Sequence, residues 1–138
     1  MKEFDLHILE ADNEFYNGKC VSLVIPTTEG MYGILANHEN IVAAITIGVI
    51  KFTLPDGTRR HAAVSNGIVK VENNEVMILV ESCEDPEEID EARARSEEEM
   101  ARDVLAGKSN RLNYRAAKGM LARAANRLKI AKRYGKYN

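Results

Sequence analysis

The sequence predicts a β + α fold: an antiparallel β-sandwich over residues 1–84, then an antiparallel two-helix hairpin over residues 85–138. Short β-branched runs separated by turn signals end near Glu84, where helical periodicity takes over. Charge breaks in the same region. Residues 1–80 carry 10 acids and 6 bases (−4), residues 81–103 carry 11 acids and 3 bases (−8), and residues 104–138 carry no acid and 10 bases (+10). An acidic segment followed by a basic one points to a partner, inside the chain or outside it.

The strands follow in order. "FDLHIL" alternates with period two, and "CVSLVIP", "ITIGVIKFTLP", "HAAVSNGIVKV" and "EVMILVE" are apolar, mostly β-branched runs. Asn17-Gly18, Glu29-Gly30, Pro55-Asp56-Gly57, Asn66-Gly67 and Asn73-Asn74 read as the turns between them. At Pro55-Asp56-Gly57 the mechanism is explicit: proline presets φ and glycine permits φ > 0. No strict strand–helix alternation occurs, which favours a sandwich over a parallel sheet.

"EDPEEID" then reads as a helix start, with Asp85 as N-cap, Pro86 at the first helical position and Glu88 completing a capping box. This helix is expected to reach Ala106 and stop at Gly107, a residue suited to the left-handed C-terminal position. Ser109 or Asn110 is expected to cap a second helix ending near Gly135. The apolar stripes read as Ile89, Ala92, Ser96, Met100 and Val104 facing Leu112, Ala116, Met120 or Leu121, Ala124, Leu128 and Ala131. Such alanine-rich faces bury little, at about 0.8 kcal/mol per CH₂. Exposed ion pairs between the helices add only about 0–1 kcal/mol each. A hairpin held this weakly can dock or rearrange at small cost.

Several chemistries are excluded. Gly107-Lys108-Ser109 looks like the end of a phosphate-binding loop, but Arg102 stands where the first glycine is required and a helix precedes it. No Ser-His-Asp order, carboxylate pair or metal-ligand spacing occurs, so catalytic and metal-binding residues are both absent from the expectation. His7, His38 and His61 are scattered and read as structural. Cys20 and Cys83 read as reduced structural thiols. No apolar run approaches the roughly 18 residues of a membrane span, and the acidic N-terminus does not read as a signal peptide. The chain is expected in the cytosol or peripheral to a membrane on its cytosolic side.

"EEIDEARARS" (residues 87–96) places Asp90 and Arg93 on one helical face. That spacing serves a surface ion pair and a ligand-gripping site equally. "ARAANRL" on the second helix offers Arg123 and Arg127 at i and i+4, again on one face. These could be a solvated face, or three guanidiniums converging on a polyphosphate.

"EGMYGILANHENIVAAITIGVIKF", then "VSNGIVKVENNEVMILVE", then "IDEARA" resemble, in this order, the epsilon subunit of bacterial F-type ATP synthase, over essentially the whole chain. The resemblance implies a non-catalytic central-stalk subunit that couples gamma to the c-ring of a proton-translocating enzyme. A mobile C-terminal hairpin would inhibit ATP hydrolysis when extended among the catalytic beta and alpha subunits. It further implies ATP as a regulatory ligand that is bound without hydrolysis or a required metal. The implied ATP-binding residues are Glu84, Ile89, Asp90, Arg93, Ala94, Arg123 and Arg127; those implied to face the c-ring or gamma are Glu29, Gly30, Asn37 and His38. Three positions depart from the family pattern. Met100 stands where some ATP-binding members have a further arginine, Ala36 replaces a proline, and Asn66 replaces a glycine. The implied location is the cell membrane, peripheral and cytoplasmic, with membrane contact only through the complex.

Two other classes compete. A nucleic-acid binder could use the basic residues 104–138, but the adjoining −8 segment would repel phosphates. Tyr114, Tyr134 and Tyr137 are also too spread out to form a stacking platform. No nucleic-acid partner is therefore expected. A free-standing nucleotide sensor would keep the ATP site but lack the rotary partners.

Overall fold

Among the described residues, alternation in the first 84 positions resolves into ten strands in two five-stranded sheets. The computed structural model describes residues 2–11 and 13–135, so Tyr137 lies outside the described residues. The chain divides into two units, Met1–Asp85 and Pro86–Asn138.

One sheet has the order β2 (Asn13–Cys20), β1 (Phe4–Glu10), β9 (Glu75–Val80), β8 (Gly67–Glu72), β5 (Ile41–Ile45). The other runs β10 (Cys83–Glu84), β7 (Arg59–Val64), β6 (Gly48–Thr53), β3 (Ser22–Thr27), β4 (Gly30–Ile34). Alternate residues of both, among them Leu6, Ile8, Leu23, Ile25, Ile50, Phe52, Val69 and Ile78, form one buried core. The pairing is antiparallel with one exception, since β1 and β9 run parallel from Asp5↔Glu75 to Glu10↔Val80. Alternation says which face a residue takes. It is silent on which distant strand lies alongside, so the parallel pair was not legible.

The turns show which local signals decide. Asn73 and Asn74 both have positive φ (50° and 63°), closing a two-residue hairpin whose twist matches its strands. Gly57 (φ 90°) closes the β6–β7 hairpin, with Asp56 Oδ1 accepting from Thr58 N at 2.8 Å. Asn17-Gly18, in contrast, makes no turn: both residues lie inside β2, paired with His7 and Leu6. Gly18 leaves room there for its neighbour: a Cβ would stand 2.8 Å from the Tyr16 hydroxyl, which folds back to donate to Lys19 O at 2.6 Å. The runs "ITIGVIKFTLP" and "HAAVSNGIVKV" each cross from one sheet to the other. Gly67 permits the second crossing, since a Cβ there would meet Leu79 O at 2.1 Å.

A register shift between Ile8 and Leu9 bulges β2 at Phe15, so that Phe15 and Tyr16 both reach the Arg60 guanidinium. Its centre lies 5.3 Å from the Phe15 ring, 5.7 Å from Tyr16 and 5.3 Å from Phe52. Asp85 pairs with the same arginine at 3.7 Å. Cys20 and Cys83 are free and buried. Burial pushes the Cys83 thiol up to about 12, with the Glu10 charge adding to it.

In the second unit the expected first helix splits. Pro86–Glu88 form one 3-10 turn, and α1 spans Glu91–Leu105. Asp85 is therefore not the cap. Asp90 is, in extended conformation, its Oδ1 accepting from Arg93 N at 3.0 Å. The helix ends as expected at Gly107 (φ 78°): Gly107 N donates to Val104 O and Lys108 N to Asp103 O, which satisfies two terminal carbonyls. α2 spans Tyr114–Tyr134, capped by Asn113 rather than Ser109 or Asn110, with Ala116 N donating to Asn113 Oδ1 at 2.7 Å. Ser109 Oγ instead accepts from Arg111 N within the connection.

The seam also differs from the expected stripes. Ala94, Ala101 and Val104 are the buried residues of α1, while Ala92 and Ser96 are exposed. On α2 the buried residues are Ala117, Ala124, Ile130 and Ala131, and Ala116 is exposed. Ala101, Val104 and Ala117 pack together with Leu105, Leu112, Met120 and Leu121, so the helices are antiparallel. Alanines occur on more than one face of each helix, so their spacing alone did not identify the face that packs.

Candidate functional site

The arginines of the second unit meet at a carboxylate that the sequence reasoning missed. On α1, Arg93 Nε donates to Glu97 Oε1 at 3.0 Å, one turn further along the helix. From α2, Arg127 Nη1 stands 3.9 Å from the other oxygen, Oε2. That distance is an ion pair without a hydrogen bond. The spacing Ala94, Glu97, Ala101, Val104 puts Glu97 on the seam, and Ala117, Met120, Ala124, Arg127, Ala131 does the same for Arg127. Both side chains are only 24% exposed. A charged residue at a seam position on each helix was the available signal, and the misplaced stripes hid it.

The question about Asp90 and Arg93 thus has a third answer. They are neither a side-chain ion pair nor two halves of a free grip: the Asp90 carboxylate caps the Arg93 backbone, and the Arg93 guanidinium turns to Glu97. The remaining α1 arginines form an i,i+4 ladder, Arg95 with Glu91 at 3.7 Å and Arg102 with Glu98 at 3.5 Å. Exposed pairs of this kind are worth about 0.3–0.5 kcal/mol each.

Arg123 lies one turn before Arg127. Its Nη1 runs back over Gly119, where a Cβ would stand 3.0 Å away, and it has no acidic partner among the described residues. Ala94 is buried at the start of α1 and Ile89 is buried just before it. Glu84 sits on β10 of the first unit, paired in register with Ala63. Arg93 and Arg127 therefore come together, Arg123 flanks them, and Asp90 serves the backbone. Two guanidiniums from facing helices around one carboxylate are an arrangement that a phosphate group could adopt in its place.

The other expected surface lies on the first unit. Glu29 lies in the β3–β4 turn and Gly30 opens β4, where Gly30 has φ 111° and Thr27 Oγ1 donates to Gly30 O at 2.6 Å. Asn37 (φ 63°) follows the far end of β4, its N donating to Asn74 Oδ1 at 2.7 Å. The two pairs thus stand at opposite ends of a five-residue strand. The His38 ring reaches back along it. Nδ1 lies 2.7 Å from Glu39 O, an acceptor only, so neutral His38 carries its proton there and Nε2 accepts from Tyr32 OH at 2.7 Å.

A further surface was also missed. Val42, Ile68, Met77 and Leu79 project from the outer face of the sheet containing β1 and are 44–70% exposed. Register makes them neighbours, with Ile68 opposite Leu79 and Lys70 between Val42 and Met77. The signal was "EVMILV", apolar on both faces, a pattern of strands covered on both sides.

Among the described residues no group of three or more metal-ligating side chains occurs, and no helix is long and apolar enough to cross a membrane. Residues 3–86 match the beta-sandwich domain of the ATP synthase delta/epsilon chain, and residues 87–132 its long alpha-helix domain. The ATP synthase epsilon chain of Caldicellulosiruptor bescii is 39% identical over 131 residues, covering 95% of each chain. That of Caldanaerobacter subterraneus subsp. tengcongensis is 37% identical over 133 residues, covering 96% of each. The fold resembles a chain of the Euglena gracilis mitochondrial ATP synthase OSCP/F1/c-ring structure, with TM-score 0.67 and 23% identity over 94% of this chain and 78% of that one. With two consecutive domain matches and relatives of nearly equal length, the chain belongs to the ATP synthase epsilon-chain family.

Proposed function

We propose that this chain is a non-catalytic central-stalk subunit whose helical hairpin senses ATP and restrains ATP hydrolysis by the assembled complex. The observation that carries the sensing role is the meeting of Arg93 and Arg127, from different helices, at one carboxylate. A ligand that holds both guanidiniums can do so only when the hairpin is folded. ATP then favours the folded form in proportion to its occupancy, by roughly 2.7 kcal/mol at 100 times the dissociation constant. A hairpin with an alanine-rich seam is poised closely enough for that to matter. Ile89 and Asp90 would meet the adenine end, with Ala94 in the same proposed set. Glu84 belongs to the same proposed set through the family resemblance. ATP would bind without turnover, and no metal is required.

The first unit supplies the coupling role. The apolar row Val42, Ile68, Met77 and Leu79 fits a permanent protein partner, for which gamma is the candidate. Glu29-Gly30 at one end of β4 and Asn37-His38 at the other would divide between the c-ring and gamma. The solved Tetrahymena thermophila structure of similar fold is titled as a central stalk and c-ring (TM-score 0.62, 15% identity), which supports this reading. The basic α2 would meet acidic surfaces of the beta and alpha subunits when the hairpin opens. The chain would then lie at the cytoplasmic side of the cell membrane, peripheral, through the complex alone.

Calorimetric titration of the chain with ATP and with ADP tests the sensing role, with fluorescence transfer between labels on α1 and α2 as the second readout. Binding should shorten the mean distance. Absence of ATP binding, or binding without a change in that distance, removes the sensing role and leaves the stalk role to co-elution with gamma.

A further inference from the structure

We infer that Glu97 is a built-in competitor for polyphosphate, its carboxylate holding the two arginines where a phosphate group would otherwise sit. This inference rests on the proposed arginine site and goes beyond it by naming what opposes the ligand. Glu97 offers one oxygen to each arginine, Oε1 to Arg93 Nε at 3.0 Å and Oε2 to Arg127 Nη1 at 3.9 Å. A carboxylate bridging two guanidiniums imitates the charge and spacing of one phosphate group. An arriving polyphosphate therefore meets arginines whose joint charge is already partly offset, with a negative charge between them. To take both guanidiniums it must turn the Glu97 side chain outwards. The side chain is 24% exposed, so a rotamer leading to solvent is within reach.

The same carboxylate does a second job. By pairing with Arg127 across the seam it adds a weak contact between α1 and α2 in the unliganded hairpin, so ATP replaces an existing link instead of creating one. Glu97 thus lowers affinity for the ligand and narrows the structural change that the ligand produces. The i,i+4 pairs Glu91–Arg95 and Glu98–Arg102 lie within one helix and do neither.

The test replaces the charge and keeps the shape. Glu97→Gln is titrated by calorimetry with ATP and, separately, with inorganic tripolyphosphate, beside the wild type and in an Arg127→Ala background. Helicity at 222 nm checks folding, and Glu97→Ser repeats the measurement with the side chain removed. Loss of a like charge beside the bound phosphates should tighten both ligands about tenfold. The gain should shrink in the Arg127→Ala background, where Glu97 competes for Arg93 alone. Ligand-free Glu97→Gln should also exchange α2 amide hydrogens faster than wild type. Wild type binding ATP with Glu97→Gln equal or weaker overturns the competitor and leaves the ATP site standing. If neither protein binds ATP, the nucleotide reading falls and tripolyphosphate decides: tighter binding to Glu97→Gln upholds the competitor, and equal or absent binding overturns it.

Discussion

Arg127→Ala separates a nucleotide site from a surface ion pair. In the folded hairpin Arg127 occupies a seam position, and its Nη1 stands 3.9 Å from Glu97 Oε2. Removing it has two costs of different size. For folding, the ion pair is partly exposed and long, so its loss contributes less than about 1 kcal/mol after solvent screening. Loss of the buried aliphatic stem adds a further packing cost. For binding, a charge-assisted contact to phosphate is worth about 1.5–3 kcal/mol, so ATP should weaken about 10- to 150-fold. Binding should therefore suffer more than stability. Arg127→Met keeps most of the stem and removes only the charge; it should restore helicity and thermal stability but not ATP affinity. Calorimetric titration with helicity at 222 nm reads both quantities. Equal ATP affinity in wild type and Arg127→Met would refute the reasoning and reduce Arg127 to a packing residue. Rescue of affinity by methionine would refute it equally.

Three further outcomes are expected. The fragment 1–85 should be soluble and melt cooperatively, because Phe4, Leu6, Ile8, Phe52 and Ile78 complete a core within it; aggregation or a broad melt would show that the hairpin is part of that core. Removal of residues 108–138 should raise ATP hydrolysis by the assembled complex, with less effect at high salt, since the Debye length falls to about 3 Å at 1 M. Unchanged hydrolysis at low salt would remove inhibition from the proposed function. Stability should fall between pH 9 and 12, because Cys83 is held neutral when folded (pushed up from 9.0 to about 12) and ionises earlier when unfolded. The urea midpoint should drop across that window in wild type and drop less in Cys83→Ala; parallel curves would show that the thiol does not carry the effect.

The sequence by itself determined the order and type of elements: a sandwich, then a helical hairpin. It also determined the stop at Gly107 and the turn at Asn73-Asn74. These rest on periodicity and on φ > 0, which a few neighbouring residues settle locally. The arginines and the family were legible for a similar reason, since residue types at fixed spacing survive without coordinates. Only tertiary structure decided the rest. Asn17-Gly18 reads as a turn, but lies in β2 because β1 pairs along it and Tyr16 folds over the glycine. Asp85 reads as a cap, but pairs with Arg60, and the cap of α1 lies five residues later at Asp90. The seam runs through Ala94, Ala101 and Val104, with Glu97 on it, and the Arg93 guanidinium pairs with Glu97 while Asp90 caps the backbone. An ion pair's partner depends on helix rotation and on what the facing helix presents, and alanine spacing fixes neither. The parallel pairing of β1 with β9 and the outward row of Val42, Ile68, Met77 and Leu79 belong to the same class. Each is set by a strand or partner distant in sequence, and a local pattern carries no record of it.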